Sequence, residues 1–242
     1  MKIIEKMTAK SRDHMHHEGV TIAFLGDSVT QGCFELYKKG EHGYETVFDK
    51  KFSYEMYLFD MLCTLYPNVT VNIINAGISG DTTKGALARL DRDVLRHAPD
   101  LTVVCFGLND CGHKPESVTG YVERLGEIFD RVLASGSELI FMTPNMMNPT
   151  ISPQLYDADL LKIAERTMDL QTGGYFDRHI DAVRALCRER SIPVCDCYAI
   201  WKKLYESGVD VTELLANKIN HPTREMNRLF AIELLRTMLW EA

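Results

Sequence analysis

The chain has 242 residues, 45% of them hydrophobic and 25% charged, a composition that allows a globular protein to bury a substantial core. Its formal net charge of -7 argues against nucleic acid as a partner, because nucleic-acid-binding surfaces are normally basic. No segment approaches the roughly 18 consecutive apolar residues of a membrane-spanning helix, so we expect no membrane partner.

The N-terminal segment and the cysteines predict a cytoplasmic protein. Residues 1–18 form an extension of unassigned structure, without the apolar run of roughly 7–15 residues that marks a secretory signal. The seven cysteines are scattered and odd in number, and Cys195 and Cys197 have no histidine at a zinc-like spacing. We therefore expect reduced thiols and no metal site. Neither G-x-G-x-x-G nor a P-loop is present, so we also expect no cofactor.

Five short apolar runs alternate with amphipathic stretches along the chain. The runs lie at residues 20–25, 69–74, 101–106, 138–142 and 192–195. They are β-branched and show no polar alternation, which is typical of strands buried on both faces of a parallel sheet. Apolar residues at helical spacing predict helices near residues 53–66, 82–97, 118–133, 176–190 and 223–240. This alternation predicts one α/β domain with right-handed crossovers and helices on both sides of the sheet.

Two stretches, residues 33–51 and 145–174, do not fit the alternation and are interpreted as long connections. Long connections in a compact domain usually cover or shape a functional site. The alternative interpretation is a pair of surface excursions without a role in function.

The segment IAFLGDSVTQG, residues 22–32, places a serine where a predicted strand ends. Ser28 therefore lies at the carboxyl edge of the sheet, where open α/β sheets bind ligands and a helix N-terminus favours negative charge. Thr30 stands where the G-x-S-x-G nucleophile elbow requires glycine, which argues against the α/β-hydrolase fold. Taken alone, Ser28 is better explained as a capping serine at a helix N-terminus.

Three further segments change that interpretation. Residues 75–81 (NAGISGD) and 107–110 (GLND) follow the next two predicted strands, and residues 220–222 (NHP) precede the C-terminal helix. Together with the first segment they resemble the four blocks of the SGNH/GDSL hydrolase superfamily. The matching residues are Ser28, Gly77, Asn109 and His221, and the resemblance runs from residue 22 to about residue 235. It implies a single SGNH hydrolase domain with a three-layer α/β/α sandwich, whose flavodoxin-like parallel sheet has five strands in the order 2-1-3-4-5.

The resemblance also implies a division of roles among these residues. Ser28 is expected to be the nucleophile, which needs an adjacent base, and His221 is expected to be that base. The oxyanion hole is expected to contain the N–H groups of Ser28 and Gly77 and the side-chain amide of Asn109. His113, four residues after Asn109, is the rival base.

The sequence departs from the family pattern at one position. Family members usually carry an aspartate three residues before the histidine, where Lys218 stands here. We therefore predict a Ser28–His221 dyad whose imidazole is held by a backbone carbonyl or by Asn217, with Asp210 and Glu213 as the alternative acids. Asp27 and Asp110 are predicted to support the loops that carry Ser28 and Asn109.

Substrate preference is less constrained by the motifs. Tyr44, Met146 and Tyr175 are predicted to form a semi-apolar wall for a short-acyl ester, such as an O-acetyl group on carbohydrate. The alternatives are a lysophospholipase or thioesterase, a cysteine hydrolase that pairs His113 with a thiol, and a non-catalytic flavodoxin-like binding module. The candidate thiols for that hydrolase are those of Cys33, Cys105 and Cys111. The sequence makes no prediction of oligomeric state.

Overall fold

The computed structural model describes residues 1–40 and 43–240. Within those residues the strands are β1 (Val20–Gly26), β2 (Cys33–Lys38), β3 (Tyr44–Phe48), β4 (Val71–Gly77), β5 (Leu101–Cys105), β6 (Glu138–Met142) and β7 (Val194–Cys195). The α-helices are α1 (Lys2–Arg12), α2 (Ser28–Gln31), α3 (Tyr54–Leu65), α4 (Thr83–Asp93), α5 (Pro115–Ala134), α6 (Ala158–Thr172), α7 (Tyr175–Glu189), α8 (Cys197–Glu206) and α9 (Arg224–Trp240).

Five strands form one parallel sheet in the order β4-β1-β5-β6-β7. Numbered within the sheet, this is the order 2-1-3-4-5, so the predicted flavodoxin-like α/β fold is confirmed. Alternate side chains of β1 enter different cores, since Ile22 and Phe24 join one apolar cluster and Ala23 and Leu25 another. Helices α1, α3 and α9 pack in the first cluster, and α4 and α5 pack in the second.

The register of the sheet positions the functional site. Gly26 at the end of β1 pairs with Gly77 on one side and with Cys105 on the other. Three neighbouring strands therefore end at the same level. The segments that follow them, which carry Ser28, residues 78–81 and Asn109, meet at one edge of the sheet.

Both stretches interpreted as long connections contain regular structure. Residues 33–51 include the antiparallel hairpin β2–β3, and residues 145–174 include α6. The hairpin gave no strand signal because polar residues interrupt the apolar ones in both strands and only Cys33 and Phe34 are buried, so neither strand is a continuous apolar run. Residues 41 and 42, between β2 and β3, lie outside the described residues.

The N-terminal extension contains helix α1, which the sequence did not predict. The N–H groups of Lys2 and Ile3 donate to the Glu138 carboxylate at 2.8 and 2.7 Å, so this side chain satisfies donors that a helix N-terminus leaves free. The Ile3 and Met7 side chains are buried in the core shared with α3 and α9. Residues 2–12 are therefore packed against the sheet.

This packing predicts a stability difference between two methionines of the N-terminal segment. Met7→Ala should lower the free energy of unfolding by about 2–4 kcal/mol, because it leaves a cavity in the core. Met15→Ala should change it by less than about 0.5 kcal/mol, since Met15 is 77% exposed. Urea denaturation followed by circular dichroism measures both values. Equal midpoints for the two variants would contradict the packing of α1.

Candidate active site

Ser28 is the first residue of the four-residue helix α2. The Asp27 carboxylate caps this helix by accepting the Val29 N–H at 3.0 Å. A Cβ atom at Gly77 would lie 2.3 Å from the Gln31 backbone nitrogen, so only glycine lets α2 pack this closely on the end of β4. Ser28 is 4% exposed, so very little of this residue is accessible to solvent.

His221 reaches Ser28 from a loop that Asn217 organises. The Asn217 Oδ1 atom accepts the backbone N–H groups of Ile219, Asn220 and His221 at 2.9–3.0 Å. The ring nitrogen Nε2 of His221 lies 2.9 Å from the Ser28 Oγ, and Nδ1 lies 2.9 Å from the Phe34 carbonyl oxygen. Because a carbonyl only accepts, Nδ1 carries the hydrogen and Nε2 is free to accept one from Ser28. Asn217 thus holds the loop, and the Phe34 carbonyl holds the ring.

The imidazole is held as a neutral base. Burial lowers the pKa of His221 to about 4, although the hydrogen bond to Phe34 and the charge of Glu35 both act to raise it. The ring is therefore uncharged at neutral pH and able to accept a proton from a hydroxyl.

The side chain of Asn109 lies beside the Ser28 segment. Its Nδ2 atom donates to the Asp81 carbonyl oxygen at 2.9 Å and lies 3.5 Å from Asp27 Oδ2. Burial raises the pKa of Asp27 to about 7, and the charges of Asp110 and Asp81 add to the effect. One amide N–H of Asn109 is thus fixed by the backbone, and the other is directed toward the Asp27–Ser28 turn.

Asp110 supports the neighbouring loop. Its carboxylate accepts the backbone N–H and the hydroxyl of Thr83, the first residue of α4, and Arg124 lies against it. Burial raises the pKa of Asp110. Like Asp27 and Asn217, it therefore fixes a loop of the site.

The Gly77 N–H is not directed into the site. It donates to the Asn75 Oδ1 atom at 2.9 Å. The N–H that the family resemblance assigned to the oxyanion hole therefore already has an acceptor. The amide of Gly80 has no hydrogen-bond partner within the described residues, and Asp81, which follows it, accepts from Asn109. The sequence contained no signal for this difference, because the predicted strand ends at residue 74 and both glycines follow it, whereas in the structure β4 extends to Gly77 and Gly80 lies in the turn after it.

A buried arginine joins the ends of two strands to this turn. Arg89 of α4 donates to the carbonyl oxygens of Ala76 and Gly26 at 2.6 and 3.0 Å, and to the Asp81 carboxylate at 2.7 Å. Arg89 is only 6% exposed, and Asp81 and Asp93 compensate its charge. Arg89 carries no signal of this role in the sequence, because nothing in its local pattern distinguishes it from a surface arginine.

The predicted substrate wall is not assembled as a unit. Met146 is 1% exposed and packs in the core, so its prediction as a substrate contact is wrong. Tyr44 donates to Asp157 at 3.4 Å, where the hairpin meets the N-terminus of α6. The ring centres of Tyr175 and His113 lie 4.8 Å apart, and both residues line a surface pocket that contains neither Ser28 nor His221.

The rival nucleophiles and base are placed unfavourably. His113 pairs with the Asp169 carboxylate rather than with a hydroxyl or thiol. All seven cysteines are free, and burial raises the pKa of Cys33 to about 11 and of Cys111 to about 12. Since the thiolate is the reactive form, these thiols are poor nucleophiles. The described residues contain neither a group of metal-ligating side chains nor a helix with the length and apolar character to cross a membrane.

Known esterases and one protein family are similar to this chain in sequence. The profile of the GDSL-like lipase/acylhydrolase family matches residues 24–229. An arylesterase of Vibrio mimicus is 32% identical over 161 residues, covering 64% of this chain and 70% of that protein. An acetylxylan esterase of Geobacillus stearothermophilus is 32% identical over 92 residues, covering 38% of this chain and only 40% of that protein.

Solved structures share the fold. The acetylxylan esterase Axe2 from Geobacillus stearothermophilus superposes with a TM-score of 0.66 at 22% identity, covering 91% of this chain and 94% of Axe2. A lipase/acylhydrolase from Enterococcus faecalis gives a TM-score of 0.64 at 21% identity, covering 90% and 94% of the two chains.

The buried ring of His221 predicts an unusual titration. In the folded protein its carbon-bound proton resonances should titrate with a pKa near 4, because burial opposes the charged form. In urea the same ring should return to about 6.5. Proton NMR between pH 3.5 and 8, with assignment from His221→Gln, measures both values. A folded-state pKa at or above 6.5 would contradict the buried, neutral ring.

Proposed function

The chain belongs to the GDSL-like lipase/acylhydrolase family, and from that premise we propose that it is a carboxylic ester hydrolase with Ser28 as nucleophile and His221 as general base. The observation that supports this most directly is the 2.9 Å contact between Ser28 Oγ and His221 Nε2. That distance is within the range that a hydroxyl nucleophile and its base require.

In the proposed reaction, the Ser28 hydroxyl proton passes to Nε2 as Oγ bonds to the ester carbonyl carbon. The carbonyl oxygen becomes an oxyanion, and the imidazolium then gives its proton to the departing alcohol oxygen as the ester bond breaks. Water attacks the acyl-serine in the same way, losing a proton to Nε2. Collapse of the second intermediate releases the carboxylic acid and returns the proton to Ser28.

The oxyanion requires donors that already point toward it. We assign this role to the N–H of Ser28 and the amide of Asn109, as the sequence predicts, and to the N–H of Gly80 in place of Gly77. The Asn109 N–H in question is the one that makes only a long 3.5 Å contact with Asp27 Oδ2. The support for Gly80 is its unpartnered amide in the turn fixed by Asn109, whereas the Gly77 N–H already donates to Asn75. Each such donor typically contributes about 3–4 kcal/mol to transition-state stabilisation.

The catalytic pair is proposed to act as a dyad. Lys218 stands where the family usually has aspartate, in a left-handed conformation (φ 59°), and its ammonium lies 2.8 Å from the Glu213 carboxylate. The Nδ1 partner of His221 is the uncharged Phe34 carbonyl. A backbone dipole therefore orients the ring where other members of the family use a charge.

We propose short-acyl esters as substrates, with O-acetyl groups on carbohydrate or a similar small molecule as the leading class. Ser28 and His221 are only 4% and 5% exposed, and a catalytic pair with so little accessible surface favours a small acyl group over a long chain. The names of relatives that act on acetylxylan and aryl esters agree with this class.

Serine-to-alanine substitution tests the proposed function. Ser28→Ala should lower kcat for p-nitrophenyl acetate and for acetylated xylo-oligosaccharides by about 10⁴-fold or more, because the nucleophile is lost. Ser207→Ala, at the C-terminal end of α8, is the matched control and should leave kcat unchanged. A panel of acetyl to octanoyl esters measures the acyl preference. A wild-type protein that hydrolyses no ester would leave only a binding role for the scaffold.

The dyad is tested by removing the two upstream carboxylates. Glu213 pairs with Lys218, and Asp210 accepts the backbone N–H of Thr212, so neither reaches the imidazole. Asp210→Asn and Glu213→Gln should each keep kcat within about threefold of the wild type, as expected for residues outside the catalytic unit. Loss of a true triad aspartate costs about 10⁴-fold in kcat. A loss of that size in either variant would replace the dyad with a triad.

A further inference from the structure

The Phe34 carbonyl is available to His221 because of an irregularity in the hairpin. Cys33 pairs with Phe48 and Leu36 pairs with Thr46, so β2 carries one more residue than β3 between these two pairs. Phe34 lies within this bulge and has no partner in the hairpin register. Bulges of this kind release and redirect backbone groups, and they are frequent beside active sites.

A single arginine fixes the bulge from the side of α9. Arg224 donates through Nη1 and Nη2 to the two carboxylate oxygens of Glu35, at 2.6 and 3.2 Å, and through Nε to Asp49 at 2.9 Å. Its guanidinium carbon also lies 4.3 Å from the centre of the Phe34 ring. The forked geometry restrains Glu35 in the bulge and Asp49 just after β3 at the same time.

Arg224 and the imidazole of His221 belong to the same short segment of chain. His221 and Arg224 are three residues apart, and both reach across to β2, one to the Phe34 carbonyl and the other to Glu35. A displacement of the hairpin relative to this segment would therefore break both contacts together. Arg224 and Glu35 are about one-quarter exposed, so the value of this ion pair lies in its geometry more than in its strength.

Glu35 also places a negative charge near the imidazole. Its hydrogen bonds from Arg224 lower the pKa of Glu35, which keeps the carboxylate ionised. The charge of Glu35 in turn acts to raise the pKa of His221, against the larger effect of burial. The other charged groups in these segments are Arg224 and Asp49, which are bonded to each other beside Glu35, and Asp27, which precedes Ser28.

We propose that Arg224 and Glu35 are positioning residues that replace the triad aspartate, Arg224 by fixing the Phe34 carbonyl against His221 and Glu35 by favouring the imidazolium at longer range. This inference rests on the proposed function in so far as His221 is the base. It assigns to the hairpin the task that one carboxylate performs in a triad.

Charge-specific variants test the proposal. Arg224→Gln should lower kcat for p-nitrophenyl acetate by about 10–100-fold with little change in KM, because a small displacement of the base is costly. Arg224→Lys, which keeps the charge and loses the fork, should recover part of that loss. Glu35→Gln keeps the shape of the side chain and should lower kcat by a smaller factor. Arg228→Gln is the matched control, since Arg228 lies one turn later on α9 and packs on Tyr57.

The pKa of His221, measured by NMR, separates positioning from general stability. Glu35→Gln should lower it, because a nearby negative charge is removed, and Arg224→Gln should also lower it, because a displaced Phe34 carbonyl no longer accepts the Nδ1 hydrogen. Thermal melts identify any loss of kcat that follows unfolding alone. The proposal is overturned if both variants keep kcat within twofold of Arg228→Gln, or if the pKa of His221 is unchanged or rises in both. If the wild type hydrolyses no ester, the proposed function fails. The NMR measurement still decides whether Arg224 and Glu35 determine the pKa of His221.

Discussion

The buried guanidinium of Arg89 is the interaction on which the geometry of the site depends. It binds the carbonyl of Gly26, the last residue of β1, the carbonyl of Ala76, the residue before the end of β4, and the carboxylate of Asp81. Two strand ends and the turn between β4 and α4 therefore share one set of charged hydrogen bonds. Charge-assisted bonds in a buried setting are directional and costly to leave unmade. Ser28 follows one of these strand ends and Gly80 lies in the turn, so their relative position is set before any substrate arrives.

A second hydrogen-bond network, centred on the Asn75 side chain, fixes the helix that carries Ser28. The Asn75 amide donates to the Thr30 carbonyl and to the Glu55 carboxyl group, at 2.7 and 2.6 Å, while its oxygen accepts the Gly77 N–H. Burial raises the pKa of Glu55 to about 7. Asn75 therefore links α2, α3 and the end of β4, and its use of the Gly77 amide is the reason that this glycine contributes space rather than a donor. Gly77 matches a block of the family, but the match does not determine which acceptor its N–H binds.

The sequence predicted the sheet because each buried strand is a short continuous apolar run, and this pattern is independent of the rest of the chain. It also predicted that Ser28 and Asn109 lie close together, since parallel strands end at one edge of the sheet, and the family resemblance predicted that His221 joins them. It could not predict the Phe34 carbonyl, because a backbone acceptor carries no signal in residue type and depends on a bulge in an exposed hairpin. The burial of Met146 was equally hidden, since a methionine in an irregular segment fits a core and a pocket wall alike.

A low pKa on the base has a consequence for where stabilisation must come from. Each unit by which burial lowers the pKa of His221 makes the imidazolium about 1.4 kcal/mol harder to form in the resting protein. A contact aspartate would offset that cost permanently, whereas a carbonyl and a more distant carboxylate offset only part of it. The remaining compensation has to appear when the imidazolium appears, and the oxyanion formed beside Ser28 supplies a negative charge at that moment. In such a dyad, the donors that hold the oxyanion also determine how readily the base accepts its proton, so stabilisation is concentrated in the transition state rather than in the resting protein.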